Sequence, residues 1–162
     1  MISENYKIVP VGKEIAMDTN TKYSDSINMS GFHKATFIIT FNTLASGNNV
    51  LTVVGGAATS TYTTAVYFNY AIGGAVVGTA VANSTASCDV LAGWTNAATL
   101  TLTAATYTNK MLVVEVEASS MADGEDWLSL VFTYAATTTG NASVIAILEP
   151  RYASNRSGTC LA

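Results

Sequence analysis

Lys34-Ala-Thr-Phe-Ile-Ile-Thr-Phe-Asn42 and Met111-Leu-Val-Val-Glu-Val-Glu-Ala118 decide the fold. β-branched and aromatic residues dominate both segments at period two, the repeat of a strand whose successive side chains point to opposite faces of a sheet. A helix would need an apolar stripe at spacings of three and four, and no segment of the chain sustains one for three turns. In the second segment Glu115 and Glu117 fall on one face, which is therefore expected to meet water.

Working outward from these two segments, apolar residues come in short runs bounded by Gly, Asn and Ser, the pattern of strands separated by turns. The runs predict strands at 14–18, 24–29, 34–42, 49–54, 63–72, 76–82, 98–104, 110–118, 127–135 and 143–149, with at most one helical turn near Ser119 to Asp126. Ser46-Gly-Asn-Asn49, Gly55-Gly56, Gly73-Gly74 and Gly140-Asn141 are expected to be turns, where a positive φ costs glycine little. Proline cannot donate to a ladder, so Pro150 closes the last strand, Ser143 to Glu149. No repeat of 20 to 50 residues points to a solenoid or propeller. The expected fold is all-β, a single β-sandwich or jelly roll. Its expected organisation is an N-terminal arm at 1–13, a sandwich domain at 14–149 and a C-terminal arm at 150–162.

Charge is scarce. Only 11% of the 162 residues are charged, less than half the usual share. From Ala35 to Asn109, a run of 75 residues, Asp89 is the sole charged side chain. Ordinary monomers keep a mixed charged exterior for solubility, so this stretch is expected to be shielded by another protein, with Thr, Ser and Asn on its outward strand faces. No run reaches the 18 or more apolar residues of a spanning helix. A net charge of −4 lacks the basic footprint that phosphate neutralisation demands, which argues against nucleic acid as a partner. The start, Met-Ile-Ser-Glu-Asn-Tyr-Lys, has neither the basic nor the apolar region of a signal peptide and favours an intracellular beginning. Triplets of the Asn-x-Ser/Thr type at Asn28, Asn83 and Asn141 are read as chance products of composition.

Reactive groups do not converge. Catalysis by a Ser-His-Asp or Cys-His set would require the single histidine, His33, and no Gly-x-Ser-x-Gly elbow accompanies it, so His33 is read as a solvated residue at a strand start. Cys88 and Cys160 carry no zinc, redox or disulfide signature. The acidic loop Asp123-Gly-Glu-Asp126 lacks calcium-loop spacing and is read as a solvated turn. Gly73-Gly-Ala-Val-Val-Gly78 lacks the order and the following helix of a phosphate cradle. Thr99-Leu-Thr-Leu-Thr103 sets three threonines on one strand face, but ice binding needs several such rungs, and Thr61 to Thr64 and Thr137 to Thr139 are contiguous instead. Among Tyr62, Tyr67, Phe68, Tyr70, Trp94, Tyr107, Trp127 and Tyr134, most are expected to pack the core, with Trp94 the candidate for sugar stacking or interface anchoring. The expected function is therefore non-enzymatic, with no catalytic residue, cofactor or metal.

Tyr23-Ser-Asp-Ser-Ile-Asn-Met29 leading into Lys34 to Asn42, Ala65-Val-Tyr-Phe-Asn-Tyr70, and Ala146-Ile-Leu-Glu-Pro-Arg-Tyr152 carry a resemblance. From about residue 20 to residue 152 the chain resembles small β-sandwich proteins that decorate or cement the heads of tailed bacteriophages. The resemblance implies a virion protein on the head exterior, made in the host cytoplasm. It further implies binding to the major capsid protein at joints between capsomers, self-association as a homotrimer, and no catalytic activity, membrane or nucleic acid. The two arms are the expected contact segments. The alternative is an adhesin or receptor-binding β-sandwich module that recognises glycan through loop aromatics.

Overall fold

A computed structural model describes residues 2–18, 20–45, 48–74, 88–134 and 140–161. The strands are β1 (Lys7–Ala16), β2 (Lys22–Tyr23), β3 (Ile27–Asn28), β4 (Phe32–Phe41), β5 (Asn48–Gly56), β6 (Thr64–Val66), β7 (Phe68–Ile72), β8 (Thr95–Ala97), β9 (Thr99–Thr103), β10 (Met111–Glu117), β11 (Trp127–Tyr134) and β12 (Asn141–Pro150). Two four-residue helical turns, α1 (Ile2–Asn5) and α2 (Ala104–Tyr107), accompany them.

Two six-stranded antiparallel sheets pack as a β-sandwich. One runs β1-β12-β4-β10-β7-β8; in the other β2-β11-β5-β6 form the path, with β3 also beside β11 and β9 also beside β5. The two deciding segments lie side by side in the first sheet, Val113 opposite Ile38 and Val114 opposite Phe37. Period two then sorts their side chains. Ala35, Phe37, Ile39 and Phe41 from β4 and Leu112, Val114 and Val116 from β10 enter the core, where they meet Leu128, Leu130 and Phe132 of β11 and Leu51 and Val53 of β5. Glu117 is exposed and Glu115 half-buried on the opposite face, as expected.

The expected 63–72 strand is two strands that belong to different sheets. β6 pairs with β5 and β7 with β10, so the chain crosses between layers at the exposed Tyr67. β8 and β9 make the reverse crossing at Ala98, beside the first, because Phe68 faces Ala97. Of the expected 24–29 strand only β3 is a strand, and β2 precedes it at Lys22–Tyr23. Between them Ser24 Oγ accepts the Leu130 N–H at 3.0 Å and Ser26 Oγ lies 2.8 Å from Ser129 Oγ, so side chains replace part of the ladder. The one helical turn expected at 119–126 is a short 3₁₀ turn at Ala118–Ser120, and α2 was not expected. The expected strand at 76–82 lies outside the described residues.

Both expected arms are corrected. Residues 1–13 do not form a free arm, because β1 runs through residue 13 and pairs with β12 from Lys7↔Leu148 to Ala16↔Asn141, with Val9 and Val11 in the core. Edge strands invite unwanted pairing unless blunted. Here Pro10, register shifts around Gly12 and Ile15, and a left-handed Glu14 (φ 50°) do so. In the expected C-terminal arm, 150–162, Pro150 still pairs with Phe32, and the residues after it fold back. Arg151 donates through its backbone N–H to Gly31 O at 2.9 Å and through Nε to Phe32 O at 3.1 Å. Asn155 Nδ2 donates to Gly31 O at 2.7 Å, Asn28 N–H donates to Cys160 O at 2.8 Å, and Leu161 bridges to Ile27. Lys7 Nζ donates to the carbonyls of Arg156 and Gly158, tying the two ends of the chain together.

Gly55 and Gly56 are also corrected, from turn to strand: they end β5 without a positive φ. Gly140 is left-handed at φ 151°, in agreement with its expected turn.

Candidate interaction surface

Cross-strand neighbours on one face of an antiparallel sheet have Cβ atoms about 4.5–5.5 Å apart, so register alone assembles surface rows. On the outer face of the first sheet, one row reads Glu149, Lys34, Glu117. The next reads Ile8, Ile147, Thr36, Glu115, Asn69. A third reads Pro10, Ile145, Ile38, Val113, Ala71, without a polar side chain. Ser143, Thr40 and Met111 make the fourth.

Charge thus flanks the aliphatic rows: at one end Lys34 Nζ lies 3.5 Å from Glu115 Oε1, and at the other the exposed Lys13 and Glu14 of β1 stand beside Ser143. The aliphatic centre is open at one side. Val113 and Ala71 are buried, whereas Ile145 is 47% and Ile8 51% exposed. Tyr6, 40% exposed, extends the apolar area and shares a shallow cavity of about 240 Å³ with Lys34, Thr36, Glu115, Ile147 and Glu149. The expectation of Thr, Ser and Asn on the outward faces fits Thr36 and Thr40 of β4. It fails at Ile38 and Ala71 of the same run, which stand in the apolar row, and it does not cover Ile8, Ile145 and Ile147, which lie outside the run.

The other candidates do not come together. His33 is exposed on β4. Cys88 is half-buried and Cys160 buried, and both are free thiols. Burial pushes the Cys160 thiol above its ordinary pKa against the opposing pull of Lys7, the reverse of what activates a cysteine nucleophile. In the acidic loop Asp123 and Asp126 are exposed, but Glu125 Oε1 instead accepts the hydroxyls of Thr63 at 3.0 Å and Thr64 at 2.6 Å. This pins the loop to β6. Among the described residues no group of three or more His, Cys, Asp or Glu is placed to hold a metal ion, and no helix is long and apolar enough to cross a membrane.

Thr99 and Thr101 point outward from β9, but their neighbours on β5 are Thr52 and Val50, so the threonine rung is not repeated. Thr137 to Thr139, Gly78 and Asn83 lie outside the described residues. Trp94 is 48% exposed just before β8, and Tyr67 is 62% exposed just before β7. Register places Tyr70 opposite Thr95 and Phe68 opposite Ala97. Trp94 and Tyr67 therefore sit at opposite ends of the pair, roughly 10–13 Å apart at about 3.3 Å per residue, and form no common stacking platform.

One feature was not anticipated. Between the β3–β4 turn and the folded-back tail lies an open cleft of about 360 Å³, walled by the half-buried Trp127. The sequence offers no signal for it, since it arises from tail docking. Comparison with protein-family models and with curated proteins finds no match.

Proposed function

We propose that the protein is a non-enzymatic structural protein of a tailed-phage head, a decoration or cement protein. In this reading it binds the major capsid protein lattice from the exterior and associates with copies of itself as a trimer. The observation that carries the reading is the open aliphatic patch of Ile8, Ile145, Ile147 and Ile38, at the centre of a sheet face whose charged side chains stand at its two ends. Such a face can be covered without stranding charge away from water, the condition under which burial stabilises an interface. The resemblance of three segments to decoration proteins supplies the lattice as the partner. Contact passes from the expected arms to this face, because the arms are occupied within the fold.

Light scattering on the isolated protein and co-sedimentation with phage capsids test the proposal. Oligomers and capsid binding are expected from the wild type. Ile145→Glu, at an exposed position, should weaken both while preserving the melting temperature. A stable monomer that ignores capsids overturns the proposal.

A further inference from the structure

We propose that the cleft between the β3–β4 turn and the C-terminal tail is a binding site for a neutral saccharide. Its lining contains Trp127, Asn28, Ser30, Ser154, Asn155 and Thr159 and no charged side chain. A phosphate or carboxylate would find no cation there, and the net charge of −4 would oppose its approach. A purely aliphatic ligand would strand two amides and several hydroxyls. A sugar ring matches what remains, because its C–H face stacks on an indole while its hydroxyls both donate and accept.

Two walls hold the polar groups in place. On the β3 side, Asn28 Oδ1 accepts the Ser30 N–H at 3.0 Å and the Ser30 hydroxyl at 2.5 Å. This fixes the amide and leaves its Nδ2 donors without a partner among the described residues. On the tail side, Asn155 commits Nδ2 to Gly31 O, which leaves Oδ1 to accept. Trp127, at the start of β11, is paired to Asn28 on one side and Gly56 on the other. Its indole N–H has no partner among the described residues. The tail wall is anchored at one end by Arg151 on Gly31 and Phe32 and farther along by Lys7 on Arg156 and Gly158. At about 360 Å³ the cleft falls within the usual range for small-molecule sites and suits a short saccharide.

The chain has two tryptophans, so Trp94→Phe leaves Trp127 as the only indole fluorophore. The test is a glycan array of neutral and acidic saccharides, followed by fluorescence titration of Trp94→Phe with each saccharide bound. Neutral glycans should bind the wild type and Trp94→Phe alike and shift the Trp127 emission. Losing the stacking partner or filling the cleft should weaken binding about tenfold or more, in Trp127→Ala and in Ser154→Arg. Ser154 is exposed on the tail, so Ser154→Arg should keep the wild-type melting temperature and decides the matter if Trp127→Ala does not fold. Four results would overturn the proposal: no neutral glycan bound, binding restricted to acidic glycans, binding lost in Trp94→Phe, or binding unchanged in Ser154→Arg. Capsid co-sedimentation of Ser154→Arg should match wild type, which separates this site from the sheet face.

Discussion

Gly56→Ala should destabilise the sandwich strongly, although alanine is the smallest change available and Gly56 has no left-handed backbone to lose. A Cβ at Gly56 would fall inside the van der Waals shell of Thr61 O and lie 2.7 Å from Thr61 C, both backbone atoms that no rotamer change can move. The 57–62 loop must therefore shift. That loop supplies Thr59 O, which accepts the Ser26 hydroxyl at 2.9 Å, and Tyr62, whose ring stacks on Tyr23 at a centroid distance of 4.3 Å. Overpacking of this kind costs about 1–3 kcal/mol, the hydrogen bond about 1 kcal/mol and the stacked pair about 0.5–1.5 kcal/mol. The sum is about 3 kcal/mol with the loop partly relaxed. For a domain of this size that lowers the melting temperature by about 6–12 °C, at about 2–4 °C per kcal/mol. Gly93→Ala is the matched control, since among the described residues nothing lies within 4 Å of the place its new methyl group would take, and surface changes of this sort stay within about 0.5 kcal/mol. Thermal and urea unfolding of the two variants beside wild type measures the difference. If Gly56→Ala melts within about 1 °C of Gly93→Ala, on the scale just used, the close-approach argument fails.

Tyr134 donates its hydroxyl to Ala16 O at 2.9 Å, and burial, with Asp18 adding to it, pushes its pKa from the ordinary 10 up to about 12. Its contribution is complete below pH 10 and is lost as pH rises toward 12, so the urea midpoint of wild type should fall over that window more steeply than that of Tyr134→Phe. Deleting residues 1–13 should unfold the protein rather than remove a dispensable arm. It strips β12 of one of its two partners and the core of Val9 and Val11, at about 1.5–3 kcal/mol for each side chain, and far-ultraviolet circular dichroism of the truncated chain checks this. Phe37→Ala, at a fully buried position, should cost about 3–5 kcal/mol in urea unfolding.

The strands that could be read most clearly are those buried on one face. β4 and β10 alternate because one face meets the core and the other carries Thr36, Thr40, Glu115 and Glu117, so period two survives in the residue types. β1 could not be read, since Pro10, Gly12 and the charges of Lys7, Lys13 and Glu14 blunt an edge and thereby erase the strand pattern. Crossings between sheets at Tyr67 and Ala98 were equally hidden: a chain that changes layers within one residue keeps its β propensity throughout. The interaction surface was legible only in part. Ile145 and Ile147 can be recognised as outward-facing from their alternation with Val144, Ala146 and Leu148, but their junction with Ile8 and Ile38 depends on register between distant strands. The Trp127 cleft depends on where a tail docks, which no local pattern specifies.

Scarce charge between Ala35 and Asn109 takes on a narrower meaning once register is known. β5, β7, β9 and most of β4 come from that run, and their inward residues are core in any sandwich. Neutrality there is mostly a property of buried faces, and on the second sheet the outward positions Thr52, Thr99 and Thr101 are hydrated hydroxyls that need no cover. The aliphatic residues that open the patch on the first sheet sit elsewhere in sequence, the exposed Ile8 in the first strand and the exposed Ile145 and half-buried Ile147 in the last. They meet because β12 inserts between β1 and β4. An interface built from the two ends of the chain forms only after the final strand is in place, so an incompletely folded copy would not present it. Under the proposed lattice-binding function, closing the sheet and creating the contact face are one event.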